Sequence, residues 1–216
     1  MTQPPDSQRP RPRKIPRQAR SANTLAVIVE ATARILEERG MGGFTTNAVA
    51  ERAGVSIGSL YQYFPSKEAL LGALIVREAS GFIAESERAL ALASGAEILA
   101  GLIGAAVRHQ LQRPALARLL DIEEARLPHD KERYEVLLRL REILATALRH
   151  PDLRLPPDIS IAQVADDVLA IIRGLADAAG ARGETEQDGL QRRVSRAVLG
   201  YLYGARAPDG AVSRNA

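Results

Sequence analysis

Residues 44–71 read FTTNAVAERAGVSIGSLYQYFPSKEALL, and this stretch decides how the chain must fold. It contains two short segments of helical composition separated by the turn residues 54–56, and Pro65 ends the second segment. Two helices joined by a short glycine-containing turn form a helix-turn-helix. Helices of about two turns are not stable alone, so the motif must pack against neighbouring helices.

Hydroxyl residues stand where these two helices should begin. Thr45 or Thr46 is a predicted N-cap for the first helix, which ends at Gly54. Ser56 is the predicted N-cap of the second helix, which runs from residue 57 to about residue 64. Apolar residues that recur at helical spacing should form the buried side of the motif, and we expect that side to contain Phe44, Val49, Ile57, Leu60 and Phe64.

The outward side of the second helix is small, polar and aromatic. Gly58 permits a close approach of the backbone to a ligand. Ser59 and Gln62 have side chains that reach base edges or phosphates. The hydroxyls of Tyr61 and Tyr63 can donate to phosphate oxygens. This chemistry suits the groove of a nucleic acid.

A phosphate site is predicted at the start of the next helix. Ser66 follows Pro65 and can cap that helix. The free backbone N–H groups of its first turn then lie beside Lys67, and such an arrangement attracts anions.

The same stretch also contains a hydrolase-like pattern. Residues 54–58 match G-x-S-x-G, the nucleophile elbow of hydrolases, with Ser56 as the candidate nucleophile. That elbow follows a buried strand, whereas residues 47–53 have helical composition and include Glu51 and Arg52. No alternation of strands and helices is evident elsewhere. The helix-turn-helix is therefore favoured, and a serine hydrolase is the alternative.

The composition favours a folded protein without thiol chemistry. With 46% hydrophobic residues, the 216-residue chain can form one large core or two small ones. The absence of cysteine excludes disulfides, thiolate nucleophiles and cysteine-ligated zinc. Charges interrupt every apolar run before it reaches membrane-spanning length. We therefore expect a cytoplasmic protein.

The net charge of +3 is unevenly distributed. Residues 1–20 contain six basic residues and Asp6, which gives +5 and leaves −2 for the remainder. Five prolines in the same segment prevent a regular helix, so residues 1–20 are predicted to be a disordered basic arm that either contacts DNA or only solubilises the protein. Residues 207–216 are predicted to be a frayed tail.

The motif as a whole resembles a known family. The DNA-binding signature of TetR-type (TetR/AcrR-like) transcriptional regulators is similar to Thr45-Thr46, Ala50, Ala53-Gly54-Val55-Ser56, Gly58, Leu60-Tyr61, Tyr63-Phe64, Ser66-Lys67-Glu68 and Leu70-Leu71. Ile57 departs from that pattern, in which a polar or basic residue is frequent. The resemblance implies that Thr46 and Asn47 also face DNA. The complete set of predicted DNA-binding residues is Thr46, Asn47, Ser56, Gly58, Ser59, Tyr61, Gln62, Tyr63 and Lys67.

The resemblance also implies an all-α fold of two parts. Residues 21–82 are expected to form a three-helix DNA-binding domain with the start of a linking fourth helix, and residues 83–206 a larger effector-binding and dimerisation domain. Helical periodicity independently predicts nine helices, of which those outside the motif lie at about 23–39, 67–92, 96–112, 114–126, 130–149, 159–180 and 186–204.

The last two predicted helices are candidates for a homodimer contact. The helix at 159–180 is apolar over a wide arc, and a helix that is apolar on more than one side needs more than one neighbour. Burial inside its own subunit is the alternative. Following the resemblance, we assign to the dimer interface Val168, Ile172, Leu175, Leu190, Val194, Val198 and Tyr201.

Other residues give weaker signals. His109 lies in an apolar helix that, in a TetR-type fold, borders the effector cavity, so it is the predicted pocket residue. The histidines lack the spacing of a metal site, and no metal or cofactor is expected. Helical spacing indicates surface ion pairs among Arg118, Asp121, Glu123, Glu124 and Arg126, and a solvated face at Asp166 and Asp167.

The sequence therefore predicts a sequence-specific DNA-binding transcriptional regulator and not an enzyme. The resemblance favours a repressor that acts as a homodimer on a double-stranded DNA operator. A small, largely apolar effector is expected to release it. The alternatives are the serine hydrolase that uses Ser56 and a non-specific architectural DNA-binding protein.

Overall fold

The computed structural model describes residues 17–124, 126, 131–155 and 157–204. Within these residues the chain forms helices and no strands, so the predicted all-α fold is confirmed. None of these helices combines the length and apolar character needed to cross a lipid bilayer. The helices in chain order are α1 (Arg17–Gly43), α2 (Thr46–Ala53), α3 (Ile57–Tyr63), α4 (Lys67–Ala89), α5 (Gly95–Gln112), α6 (Pro114–Glu124), α7 (Lys131–Leu148), α8 (Ile161–Ala181) and α9 (Gln187–Tyr203).

The ends of the two short helices are set by the predicted local signals. At the start of α2, Thr45 Oγ1 accepts a hydrogen bond from the Ala48 N–H at 3.1 Å. At the start of α3, Ser56 Oγ accepts from the Ser59 N–H at 3.0 Å. Gly54 closes α2 in the left-handed conformation, with φ 66° and ψ 30°. Gly54 and the Ser56 cap together form the turn of the helix-turn-helix, and the Thr45 cap fixes where its first helix begins.

The first helix differs from its predicted bounds at both ends. α1 begins at Arg17, so residues 17–20 do not belong to an extended arm. Pro16 is the last proline of the segment, and a proline is compatible with the start of a helix. Gly40 interrupts the helix at φ 59°, but residues 41–43 form a further helical turn where a loop was expected. Residues 1–16 of the predicted arm and the predicted tail 207–216 lie outside the described residues.

A first hydrophobic cluster holds the helix-turn-helix. It combines α1, α2 and α3 with the first half of α4, where Leu70 and Leu74 are fully buried. The residues predicted for the core of the motif lie in it: Phe44, Val49, Leu60 and Phe64 are 1%, 0%, 0% and 5% exposed. The short helices are thus stabilised by packing, as their length requires.

A second hydrophobic cluster holds the rest of the chain. It contains the buried faces of α5, α7, α8 and α9, and the second half of α4 packs against it through Phe82, Ile83 and Ala89. Helix α4 is therefore part of both clusters.

Helix α6 was expected to belong to the second part of the chain, yet it joins the first cluster. Leu116 and Leu120 are 1% and 7% exposed and pack among the residues of α1 and α4. The sequence gives no signal for this, because an apolar stripe does not reveal which neighbour covers it. The boundary between the two parts of the chain at residue 82 stays a prediction. The two hydrophobic clusters do not separate at that residue.

Two glycines provide a test of the turn geometry. Gly54→Ala should lower the free energy of unfolding by about 1 kcal/mol, because a residue with a Cβ is strained at φ 66°. Gly81→Ala is the matched control in α4, where an added Cβ meets nothing within 4 Å, and it should raise that free energy by about 0.5–1 kcal/mol. Urea denaturation measures both. Changes of the same sign in the two variants would contradict the role given to Gly54.

Candidate nucleic-acid interface and internal cavity

The predicted DNA-binding residues lie on α2, on α3 and at the start of α4. Tyr61 is 49% exposed. Asn47, Ser56, Gly58 and Gln62 are also exposed, whereas the half-buried members of the set are Thr46, Ser59, Tyr63 and Lys67. The outward side of α3 is therefore accessible to a partner, as its composition indicated.

Two hydrogen bonds hold four of these side chains in place. The hydroxyls of Thr46 on α2 and Tyr61 on α3 are 3.1 Å apart, which joins the two helices of the motif through their exposed side. The hydroxyls of Ser56 and Ser59 are 2.8 Å apart at the start of α3. The helices thus present partly ordered hydroxyl groups, and less side-chain entropy is lost on binding.

Ser56 does not have the setting of a hydrolase nucleophile. Its hydroxyl accepts the Ser59 N–H as the N-cap of α3. The element that precedes it is the helix α2, whereas a nucleophile elbow follows a strand. The structure gives no support to the serine hydrolase.

Lys67 is held at the start of α4 by an aromatic contact. Its ammonium lies 4.9 Å from the centroid of the Phe44 ring, within the range of a cation–π interaction. Ser66 caps the same helix by accepting the Ala69 N–H at 3.2 Å. A cation is therefore placed beside the free N–H groups of the first turn, which is an arrangement that suits a phosphate. The sequence did not indicate the contact with Phe44.

Ile57 is not part of the core, contrary to the prediction. It is 39% exposed at the first position of α3. A helical wheel places it on the same arc as Leu60 and Phe64, but it lies seven residues before Phe64, about 10 Å along the axis. The helix is too short for the core to cover both ends.

A cavity of about 400 Å³ that is partly open to solvent lies among the helices α4 to α8. Its walls are largely apolar, with several charged groups. The residues that line it include Ile75, Glu78, Ala79, Phe82, Ala106, His109, Gln110, Arg113, Leu116, Ala117, Leu120, Asp121, Glu124, Tyr134, Leu137, Leu140, Leu169, Ile172, Arg173, Ala176 and Asp177. A volume of this size is typical of a small-molecule site.

The predicted pocket residue lines this cavity. The His109 ring stacks on Phe82 with ring centroids 5.3 Å apart and an angle of 16° between the planes. Burial lowers the pKa of His109 below its ordinary value of 6.5, so the imidazole is neutral at neutral pH. Its contact with a ligand stays a prediction.

The acidic residues of α6 do not all pair along their own helix, which corrects their interpretation as surface ion pairs at helical spacing. Glu123 does pair with Arg126 at 2.7 Å. Asp121 and Glu124, however, line the cavity. Helical spacing alone cannot show which face of an amphipathic helix meets a cavity, and this is why the sequence missed them.

Arg113 connects the cavity to α1. It lies between α5 and α6, lines the cavity, and donates from Nε and Nη2 to the two carboxylate oxygens of Glu37, each at 2.7 Å. Its Nη1 is also 3.6 Å from Glu30 and from Glu78. The hydrogen bonds from Arg113 lower the pKa of Glu37 below its ordinary 4.5. Two parallel bonds to one carboxylate fix both the distance and the orientation of the partners.

Comparison with known proteins identifies the family. The family model described as "Bacterial regulatory proteins, tetR family" matches residues 28–74, which include the helix-turn-helix. The nucleoid occlusion factor SlmA of Marinomonas sp. (strain MWYL1) is 31% identical over an aligned length of 169 residues, and the match covers 68% of this chain and 78% of SlmA. The chain belongs to the tetR family of bacterial regulatory proteins. Among solved structures, the transcriptional regulator FadR from Bacillus subtilis, in complex with stearoyl-CoA, has a TM-score of 0.68 at 19% identity and covers 82% of this chain and 98% of that one.

Another relative of this tetR-family protein matches over a shorter stretch. The HTH-type transcriptional repressor KstR of Mycolicibacterium smegmatis is 46% identical over 68 residues. The match covers 32% of this chain and 33% of KstR, so the chain spans about a third of that relative's length in the comparison.

The predicted dimer residues of the tetR-family chain are mostly internal. Val168, Leu190, Val194 and Val198 are 0% exposed and Ile172 is 5% exposed in the second cluster of a single subunit, so their assignment to a partner surface is wrong. Leu175 and Tyr201 are half-buried and pack against the same cluster. The apolar stripes of α8 and α9 are covered by their own subunit, the alternative that the sequence left open.

The outward faces of α8 and α9 carry other residues. Ala170, Gly174 and Gly200 are exposed, and a Cβ added at either glycine would meet nothing within 4 Å. Leu199 and Tyr203 on α9 are 39% and 48% exposed. A face of small residues with apolar side chains nearby permits close packing against another helix.

The contact between Arg113 and Glu37 can be tested through stability. Arg113→Met should lower the free energy of unfolding by about 2 kcal/mol at neutral pH, because two charge-assisted hydrogen bonds between side chains that are 23% and 24% exposed are lost. The pair stabilises the fold above the ordinary Glu37 pKa of 4.5, and this contribution is lost as the pH falls through the lowered pKa. The gap between wild type and variant should therefore close below pH 4.5.

The control for that variant is Arg139→Met. Arg139 pairs with Glu87 and Glu142 at the surface, where solvent screens the charges, and its loss should have little effect. Urea denaturation over a pH series measures both variants. An equal loss of stability in the two, or a gap that persists in acid, would contradict the role of the Arg113 pair.

Proposed function

We propose that this chain is a transcriptional repressor that binds a DNA operator as a homodimer and is released by a small molecule in the internal cavity. The observation that carries the proposal is the exposed face of α3, which is ordered by the hydroxyl pair of Thr46 and Tyr61 and lies next to the capped start of α4. Membership of the tetR family of bacterial regulatory proteins supports it. A repressor that binds an operator in the bacterial chromosome works in the cytoplasm. This function requires no catalytic residue.

One relative supports repression as the mode of regulation. KstR is named a transcriptional repressor, and its match to this chain is 46% identical over 68 residues. SlmA, which matches a greater length, is named a nucleoid occlusion factor. Because the two relatives carry different names, the test of the proposed function must measure binding to a selected operator in competition with random DNA.

The residues of the interface take different proposed roles. Exposed Gln62 and half-buried Ser59 are assigned to base edges or phosphates, and Tyr61 and Tyr63 to phosphate oxygens. Gly58 is exposed, and a Cβ there would be 4.0 Å from Ser56 Oγ, so its lack of a side chain serves the approach to DNA and not the packing of the fold. The N–H groups in the first turn of α4 and the Lys67 ammonium are assigned to a phosphate. Thr46 and Asn47 on α2 and Ser56 at the start of α3 complete the set.

Variants of the interface distinguish phosphate contacts from base contacts. Lys67→Ala should weaken operator binding and reduce the slope of log affinity against log salt concentration by about one, because one phosphate contact is lost. Gln62→Ala should instead relax the preference at one base pair by about 1–3 kcal/mol. Fluorescence anisotropy titrations at several salt concentrations, with an operator selected from random duplexes, measure both.

Arg154→Ala is the matched control for the loss of a cation. Arg154 is exposed between α7 and α8, beside Leu153 and Leu155 of the second cluster. The Arg154→Ala variant should leave unchanged both the affinity for the operator and the slope of log affinity against log salt concentration. If Lys67→Ala behaves in the same way, the phosphate site at α4 is wrong. Equal affinity of the wild type for operator and random DNA would favour an architectural protein.

The homodimer is proposed to form through the outward faces of α8 and α9. A helix-turn-helix reads one half-site, and a dimer with two reading helices spans half-sites about 34 Å apart in successive major grooves. The exposed Ala170, Gly174 and Gly200 permit the close approach of a second copy, with Leu199 and Tyr203 at the edge.

A charge introduced at this face should separate the copies. Gly174→Glu is expected to convert a dimer to a monomer and to weaken operator binding, because the contribution of the second half-site is lost. Gly81→Glu is the control, since Gly81 is also exposed, helical and without neighbours within 4 Å of an added Cβ. Light scattering during gel filtration gives the mass of each. A dimeric Gly174→Glu variant would place the interface elsewhere.

The cavity is proposed to control DNA binding through α6. Residues 21–82 form the proposed DNA-binding part and residues 83–206 the effector-binding part, yet Leu116 of α6 lines the cavity and is buried in the first cluster. Arg113 likewise lines the cavity and holds α1 through Glu37. A ligand that displaces α6 therefore displaces the helix-turn-helix. Release follows only if the ligand binds the displaced arrangement more tightly than the DNA-binding one.

A further inference from the structure

The wall of the cavity formed by α6 and α8 carries more negative than positive charge. Asp121, Glu124 and Asp177 line it together with Arg173. The Arg173 guanidinium is 3.2 Å from Glu124 and 3.6 Å from Asp177, so a single cation serves two carboxylates. The hydrogen bond that Asp121 accepts comes from Gln110 Nε2 at 3.3 Å, and this amide is neutral.

The cations elsewhere in the wall do not compensate this charge. Arg113 donates to Glu37 from Nε and Nη2, and its Nη1 is 3.6 Å from Glu30 and from Glu78. His109 is neutral, because its burial disfavours the protonated form. Among the lining residues that the structure describes, two carboxylate charges of the α6 and α8 wall are therefore left without a cationic partner of their own.

Burial and mutual repulsion make this arrangement of ionised carboxylates electrostatically unfavourable. The pKa of Asp177 is raised above its ordinary 3.8, first by burial and then by the charge of Asp121. Two like charges that disfavour each other at the edge of an apolar space are stabilised by a cation placed between them.

The remainder of the cavity lining fits an apolar body. Ile75 and Leu116 are buried, and Phe82 presents its ring together with the stacked imidazole of His109. Tyr134 adds a second aromatic ring to the lining. Aromatic faces attract cations as well as apolar groups.

We propose that the effector of this cavity is an amphipathic cation, whose protonated amine or quaternary ammonium binds between Asp121 and Asp177 while its apolar body packs on Phe82 and the leucines of α6. The inference rests on the proposed function, since it names the ligand class of that cavity. It disfavours anionic ligands such as fatty acids and their CoA thioesters, which would meet the same two carboxylates.

Three ten-carbon probes that differ in charge test the class. Decyltrimethylammonium is a cation, decanoate an anion, and decanol is neutral. Each is titrated into the full-length protein by calorimetry, without DNA and below the concentration at which it forms micelles. Decyltrimethylammonium should bind at least about tenfold more tightly than decanoate, with decanol between them.

Isosteric variants locate the charge. Asp177→Asn and Asp121→Asn should each weaken the binding of decyltrimethylammonium several-fold, leave decanol unchanged and strengthen decanoate. Glu51→Gln, an exposed residue of α2 outside the cavity, is the control and should change none of the three. Circular dichroism establishes that each variant is folded, and either Asn variant is sufficient if the other is not.

Each outcome decides a separate point. If decanoate binds as tightly as decyltrimethylammonium, or if the Asn variants leave the charge preference unchanged, the assignment of a cationic effector is overturned while the cavity stands. If none of the probes binds, both the cationic ligand class and the assignment of the cavity as an effector site are wrong. Operator binding is measured separately in the absence of probe, so the DNA-binding function is judged on its own. Release of the operator by decyltrimethylammonium, lost in the Asn variants, supports the whole proposal.

Discussion

The continuous helix α4 is buried in both hydrophobic clusters, and the relation between the two parts of the molecule depends on it. Leu70 and Leu74 are fully buried with the helix-turn-helix, whereas Phe82 and Ala89 pack with the second cluster. The helix has 23 residues and is about 35 Å long. Because hydrogen bonds along the helix resist bending, displacement of one half moves the other. The cavity borders this helix at Ile75 and Phe82, between its two buried halves. A ligand bound there contacts the segment of the helix that joins its two buried halves.

A second connection restrains how far such a tilt can go, and it differs in kind from the first. The burial of Leu116 and Leu120 in the first cluster is a hydrophobic contact, which is non-directional and tolerates sliding. The two hydrogen bonds between Arg113 and Glu37 are directional and tolerate little change in angle. The leucines thus keep α6 attached to the cluster of the helix-turn-helix, while Arg113 determines its position there. Two positions of α6, one with and one without the hydrogen bonds between Arg113 and Glu37, can therefore keep nearly the same apolar contacts of Leu116 and Leu120.

Local chemistry was predictable from the sequence, and contacts between distant segments were not. The caps at Thr45, Ser56 and Ser66 and the turn at Gly54 follow from the preferences of single residues, and helix bounds beyond α1 differ from the predicted ones by three residues or fewer. The periodicity of α8 and α9 correctly marked which residues are buried, but not whether their own subunit or a second copy covers them. The same ambiguity hid Asp121, because a carboxylate on the polar side of a helix can face solvent or a cavity. The helical wheel failed at Ile57 for a different reason, since it ignores position along the axis.

The two proposed sites use charge in opposite ways, and this difference explains how a modest ligand could control DNA binding. In the described part of the helix-turn-helix, Arg52 is paired with Glu38 at 2.5 and 2.6 Å and Lys67 rests on Phe44, so recognition depends more on geometry than on free charge. A surface of that kind is sensitive to small displacements, because each contact requires its own alignment. In the cavity, Arg173 offsets only part of the charge of Asp121 and Asp177, so a bound cation reduces their mutual repulsion further. An arrangement of α6 that closes the two carboxylates around a cation is therefore unfavourable without the ligand and favourable with it. That difference in affinity is the free energy available to displace α6, and it needs to exceed only the cost of misaligning the contacts with DNA.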